Sequence, residues 1–262
     1  MVRYIVLGSS GFIGSEFAKQ IAGLKCEYLF MDRSLITVSI NDEIRSIARS
    51  KNDIWHDLYK FLHENTIVVN CMWSKIDSSL NNAASHLISE KNEIEFIQEL
   101  AKENCKYVSF GSIKEYESDS LYANSKRNVY DFISAKLKNY YWLRIANCYG
   151  STNTNRLIDQ LFNSHITGST FLLDNPEKII NIYPVQQLVS FCINSVFDLP
   201  SGDYNIASQQ WVKLKDINRS FVELTEPQYL NMDNELFLRN DSKLLRIHAP
   251  LLVDHFKALK SN

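Results

Sequence analysis

Glycine is scarce in this sequence, with eight in 262 residues. That excludes flexible glycine-rich linkers and low-complexity tracts, and no internal repeat is found. Cysteine is equally sparse. Cys26, Cys71, Cys105, Cys148 and Cys192 form no close pair and their number is odd. A disulfide framework and a zinc site are therefore not expected, and a reducing, cytoplasmic setting is. The six histidines show no metal-ligand spacing, so no metal is expected. No apolar run reaches the ~20 residues of a membrane span, and no basic segment followed by an apolar run reads as a secretory signal. Charge of one sign is also lacking: 28 basic against 30 acidic residues give a net charge of -2. Nucleic acid is thus not an expected partner, although a locally basic site for an anionic ligand stays open.

Short apolar runs alternate with helical patterns. Tyr4–Leu7, Tyr28–Met31, Ile67–Cys71, Tyr107–Phe110 and Tyr141–Ala146 read as buried strands. Phe12–Ala22, His86–Glu103 and Ala123–Leu137 carry apolar residues at helical spacing. This alternation predicts an α/β fold, a doubly wound parallel sheet of Rossmann type. Beyond about residue 150 prolines and turn residues become frequent, with Val185–Phe197 read as a helix and Tyr204–Ile206 as a strand. The expected division is a dinucleotide-binding domain over 1–150, to which 179–206 returns, and a smaller mixed α/β substrate domain over 151–178 and 207–262.

Three of the eight glycines fall within seven residues, in Gly8-Ser-Ser-Gly11-Phe-Ile-Gly14, between the first strand and the first helix. Glycine permits a tight turn and lets a pyrophosphate approach the backbone. The following helix presents unpaired N–H groups and a partial positive charge. Asp32 ends the second strand, where a carboxylate can accept both ribose hydroxyls of NAD; a solvated turn Asp is the other reading. Arg33 follows and can instead meet a 2′-phosphate, so the choice between NAD and NADP stays open.

Tyr122 and Lys126 are one helical turn apart, at the start of the helix that follows the fourth parallel strand. An ammonium beside a phenol favours the phenolate. Such a tyrosine can pass a proton to and from an alcohol or ketone oxygen during hydride transfer.

These residues resemble the extended short-chain dehydrogenases/reductases, the NAD-dependent epimerase/dehydratase family of nucleotide sugars. Gly8–Gly14 is similar to the family's G-x-x-G-F-I-G turn, and Tyr122-Ala-Asn-Ser-Lys126 to its Y-x-x-S-K segment. Val108-Ser-Phe-Gly-Ser112 resembles the strand that ends on the catalytic Ser or Thr. Leu143-Arg-Ile-Ala-Asn147-Cys-Tyr-Gly150 resembles the strand lining the nicotinamide. Ser201–Ser208 and Asp241-Ser-Lys243 resemble later elements of the family. The resemblance implies Tyr122 as general acid/base, Lys126 on the nicotinamide ribose, and Ser112 on the reacting oxygen. It implies Gly8, Ser10, Gly11, Phe12, Ile13 and Gly14 around the pyrophosphate, and Asp32 with Arg33 at the adenosine ribose. Asp53 and Ile54 would meet the adenine, and Cys71, Met72 and Asn147 would line the cofactor. Trp73, Ser112 and Asn147 would face the substrate. Asn92 would at most support a proton relay.

The departures bear on substrate. Only ten residues separate Ser112 from Tyr122, and Cys71-Met72-Trp73 stands where the family has small residues. Trp73 either stacks on a ligand or fills the shortened rim. The acid pair that follows the catalytic Ser/Thr in dehydratases is replaced by Ile113-Lys114. Glu115, one place on, points elsewhere if that segment is extended. The resemblance therefore implies an NAD(P)-dependent reductase of a nucleotide-linked 4-keto (6-deoxy) sugar. The alternatives are an epimerase with tightly bound NAD and a non-catalytic NAD(P)-sensing protein. A homodimer through the helices at His86–Glu103 and Ala123–Leu137 is expected from the same resemblance.

Overall fold

The structure is a computed structural model that describes residues 2–32, 35–40, 43–48, 58, 61–73, 83–117, 119–150, 156–223, 225–230, 243–254 and 256. In chain order the elements are β1 (Arg3–Leu7), α1 (Phe12–Ala22), β2 (Glu27–Met31), β3 (Leu35–Ile40), β4 (Glu43–Ala48), β5 (Thr66–Asn70), α2 (Ala83–Leu100), β6 (Lys106–Ser112), α3 (Lys114–Glu117), α4 (Leu121–Lys136) and β7 (Tyr140–Ile145). There follow β8 (Asn147–Tyr149), α5 (Leu157–Thr167), β9 (Ile179–Pro184), α6 (Val185–Asn194), β10 (Gly202–Ser208), β11 (Trp211–Lys213), α7 (Leu214–Glu223) and β12 (Lys243–Ile247). The chain divides into two compact units, Met1–Arg144 with Ser195–Tyr204, and Ile145–Asn194 with Asn205–Asn262.

In the first unit the strands run in the order β7-β6-β5-β1-β2-β3-β4, with the start of β10 (Gly202–Tyr204) beside β7. β1 is parallel to both β2 (Arg3↔Glu27) and β5 (Arg3↔Thr66), and β5 is parallel to β6 (Ile67↔Lys106). The order reverses between β1 and β5, and the crevice at such a reversal is where open α/β sheets bind ligands. Tyr4-Ile-Val-Leu7 and Ile67-Val-Val are buried on both faces, which is why they read as unbroken apolar runs. α1 spans the predicted residues and buries Phe17 and Ile21, four apart. α4 starts on Ser120, whose Oγ accepts from the Ala123 N–H at 3.3 Å.

One part of this sheet departs from the sequence reading. β2, β3 and β4 form an antiparallel meander at the edge, where no strand was expected beyond β2. The turn between β2 and β3 is closed by Asp32: its N–H donates to the Leu35 carbonyl at 3.0 Å, and its Oδ1 accepts from the Leu35 N–H at 2.7 Å.

The second unit holds a small sheet in the order β11-β9-β8. Its core gathers Tyr149, Phe162, Ile182, Val212, Phe221 and Phe256. β9 pairs with β8 and β11, so 179–194 clusters in this unit while Ser195–Tyr204 clusters in the first. The helix read over Val185–Phe197 ends at Asn194, and a 3₁₀ turn over Val196–Asp198 follows.

Candidate active site

The glycine turn is a close-packed cradle. Gly8 follows β1 with φ +75°, and a Cβ there would lie 2.9 Å from the Cys71 carbonyl oxygen behind β5. Gly14 lies under it in α1, and a Cβ there would run into the Gly8 carbonyl. The Gly8 N–H donates to the Met31 carbonyl at 2.7 Å, which fixes the loop against β2. Gly11 is the N-cap of α1, and no side chain caps the helix. Ser10 and Gly11 are exposed, and Phe12 and Ile13 are half-buried. Bare backbone at the head of a helix, at the sheet's reversal point, fits a pyrophosphate.

Lys126 sits deep beside this crevice, 4% exposed. Its Nζ donates to the Phe110 carbonyl at 2.7 Å and stands 3.5 Å from the centre of the Trp73 ring. Burial pulls its pKa down to about 8, against the opposing pull of Glu93, Glu115 and Cys71. Tyr122, one turn earlier on α4, packs edge-on against Trp73 with ring centres 6.2 Å apart, and against His86 at 5.3 Å. Trp73 and His86 lie stacked at 6.5 Å. Burial, then the nearby Lys126 charge, lowers the His86 pKa, so His86 is neutral at physiological pH.

Ser112 ends β6, two residues beyond the carbonyl that holds Lys126. Its Oγ accepts from the Lys114 N–H at 3.3 Å, which leaves its O–H to donate. The segment that carries Glu115 is not extended; α3 is a helical turn that rotates it inward. There it accepts from the Ser112 N–H at 2.6 Å, from Trp142 Nε1 at 3.2 Å and from Arg144 Nε at 2.8 Å. Arg144 also pairs with Asp203 at 2.5 Å. Gly111 makes room, since a Cβ there would strike the Glu115 carboxylate and would lie 2.5 Å from Trp142 Nε1.

The remaining predicted residues are placed as follows. The Cys71 N–H donates to the Leu7 carbonyl and the Met72 N–H to Asn70 Oδ1, both at 2.9 Å, which ties this loop across the ends of β1 and β5. Burial raises the Cys71 pKa, so its thiol stays protonated. Asn147 belongs to the second unit, where its Nδ2 donates to the Asn181 carbonyl at 3.2 Å. Arg33, Asp53, Ile54 and Asp241 lie outside the described residues. Asn92 is exposed on α2. Its neighbour Glu93 is buried instead, accepting from Tyr107 Oη at 2.8 Å and Ser109 Oγ at 2.5 Å. Glu93 and His86 were missed because both lie in a stretch of mixed charge. Their spacing, seven residues or two helical turns, is the signal that puts them on one face.

No protein-family model matches this sequence, and no curated protein does. Among solved structures the chain is similar to a UDP-glucose 4-epimerase from Thermotoga maritima, solved with UDP-glucose. The two are 14% identical over 99% of this chain and 100% of that one, with a TM-score of 0.69. It is similar to a dTDP-4-dehydrorhamnose reductase from Clostridium acetobutylicum, 12% identical over 99% and 93%, with a TM-score of 0.65. It is also similar to WbmH from Bordetella bronchiseptica, solved in complex with NAD+, 15% identical over 98% and 91%, with a TM-score of 0.66. The chain has the Rossmann-type α/β fold of these proteins.

Proposed function

We propose that this chain is an NAD(P)-dependent enzyme that reduces a nucleotide-linked 4-keto (6-deoxy) sugar. The observation that carries this reading is a tyrosine and a buried lysine on one helix, beside a glycine cradle that would hold a dinucleotide. The solved relatives that bind NAD+ or UDP-glucose support the ligand classes.

A reduced nicotinamide, when bound, supplies the hydride. Tyr122 gives its phenolic proton to the substrate oxygen and is reprotonated from solvent. The Lys126 ammonium stabilises the phenolate left behind, and the Ser112 O–H donates to the same oxygen. Dehydration would need a further acid and base, and Glu115 is not free for either: it is buried in an ion pair with Arg144. Epimerisation uses the same three residues and differs in the fate of the cofactor.

The test is incubation with a nucleotide-linked 6-deoxy-4-keto-hexose and NADH or NADPH. Stoichiometric oxidation of the cofactor with formation of the 6-deoxy alcohol is expected. Interconversion of two nucleotide hexoses with no net cofactor use, and NAD retained through purification, would establish the epimerase instead.

A further inference from the structure

We propose that Trp73 is the positioning residue of the Tyr122–Lys126 pair, its indole face holding the Lys126 ammonium against the Phe110 carbonyl. This rests on the acid/base reading above and adds to it the group that keeps the ammonium charged and in place.

An ammonium carries three donors, and a buried one needs compensation for lost water. Among the described residues, Lys126 has one hydrogen-bond acceptor, Phe110 O, and no carboxylate at ion-pair distance. Glu93 and Glu115 act on it only from further away. The Trp73 ring lies 3.5 Å from Nζ and the Trp142 ring 5.5 Å, and the face of each offers negative potential. Tryptophan gives the strongest cation–π attraction of the aromatic residues, and the attraction grows when water is excluded.

The pose of Trp73 supports this. A buried indole N–H usually finds a partner, yet Trp73 Nε1 is buried and has none among the described residues. The faces and edge of the ring lie against His86, Tyr122 and Lys126.

The titratable groups around Lys126 are Glu93 and His86 of α2, Glu115 of α3, Cys71 after β5, and Tyr122 on its own helix. His86 titrates below its usual range and Cys71 above its own, and repeating the titration in a Tyr122→Phe background removes the phenol, so the transition that remains near pH 8 is assigned to Lys126. The experiment is a pH titration of protein carrying lysine labelled with carbon-13 at Cε, followed by NMR, with the Lys126 signal identified by its loss in Lys126→Met. The wild type should titrate at about 8. In Trp73→Leu the proton affinity of Lys126 should fall roughly tenfold, and Trp73→Phe should restore part of it. An unchanged or raised midpoint in a folded Trp73→Leu protein overturns the inference. Should that variant not fold, Trp73→Phe decides alone, and an unshifted midpoint in it overturns the inference. The titration needs no cofactor or substrate. A shifted midpoint without nicotinamide binding would therefore refute the functional reading and leave the Trp73–Lys126 coupling standing. Nicotinamide binding with no shift would do the reverse.

Discussion

Gly14 packs so tightly against Gly8 that a Cβ on Gly14 would stand 2.8 Å from the Gly8 carbonyl carbon and closer still to its oxygen. Both partners are backbone, which cannot swing aside. Gly14→Ala is expected to destabilise the fold by about 1–3 kcal/mol, as overpacking does, and to abolish dinucleotide binding. Gly23→Ala, at the end of α1 with φ −82° and a Cβ 3.4 Å from its nearest neighbour, should be neutral or slightly stabilising. Urea denaturation of the two variants compares them, and equal stabilities would show that the cradle tolerates a side chain.

Tyr122→Phe is expected to fold and bind cofactor nearly as the wild type does, because the ring contacts with Trp73 and His86 survive. Turnover should fall at least ~10²-fold, the usual loss for a general acid/base. Wild-type turnover on the true substrate would remove Tyr122 from the reaction.

Lys126→Met should raise stability while it abolishes activity. The folded-state pKa of Lys126 is depressed from 10.5 to about 8, so unfolding takes up a proton between those values and stability rises with pH across that window. Below pH 8 the buried charge opposes folding by roughly 3 kcal/mol. About 1 kcal/mol of this is offset in the variant by the loss of the bond to Phe110. A net gain of about 2 kcal/mol at pH 7, with no rise from pH 8 to 10.5, is expected from chemical denaturation. A variant less stable than wild type would contradict it.

A homodimer through α2 and α4 is expected. Leu87 and Ile88 on α2 are 54% and 59% exposed, and Asn128 of α4 donates to Glu90 of α2 at 2.9 Å, which holds the two helices together. A two-fold interface would cover those side chains. Ile88→Lys should yield monomer in sedimentation velocity at micromolar concentration, and a monomeric wild type would reject the expectation.

NAD and NADP should bind within about tenfold of each other, or roughly 1.4 kcal/mol. The expectation is that Asp32 would repel a 2′-phosphate and that Arg33 would offset this. Asp32 also has one carboxylate oxygen engaged by the Leu35 N–H. Asp32→Asn should shift the preference towards NADP while the turn persists, since an amide oxygen can accept the same bond. Titration giving the wild type a hundredfold preference either way would show one side chain dominating.

Much of the first unit was legible because its parallel strands are buried on both faces and its glycines are few. A four-residue run such as Tyr4–Leu7 has few other places to go. The β3–β4 hairpin was missed because Leu35–Ala48 mixes alternating apolar residues with polar ones, and Ile44 is largely exposed; an edge strand needs only one covered face. The pairing of Tyr122 with Lys126 follows from helical spacing. The arrival of Trp73 and His86 beside them does not, since it depends on how three separate segments pack. The inward turn of Glu115 was not legible either, because it depends on whether the segment is extended or helical, and a single helical turn changes where a side chain points.

The first unit is completed by Ser195–Tyr204. Lys106 Nζ donates to the Phe197 carbonyl at 2.6 Å, Tyr141 Oη to the Leu199 carbonyl at 3.0 Å, and Arg144 pairs with Asp203. During synthesis none of these partners exists until Ile145–Asn194 has left the ribosome, a wait of several seconds at ~5–20 residues per second. For that interval Arg144 lacks its Asp203 partner, and the outer side of β7 has not yet met β10. The nascent chain thus carries an open sheet edge through the middle of its own translation, a template for wrong pairing until β10 arrives.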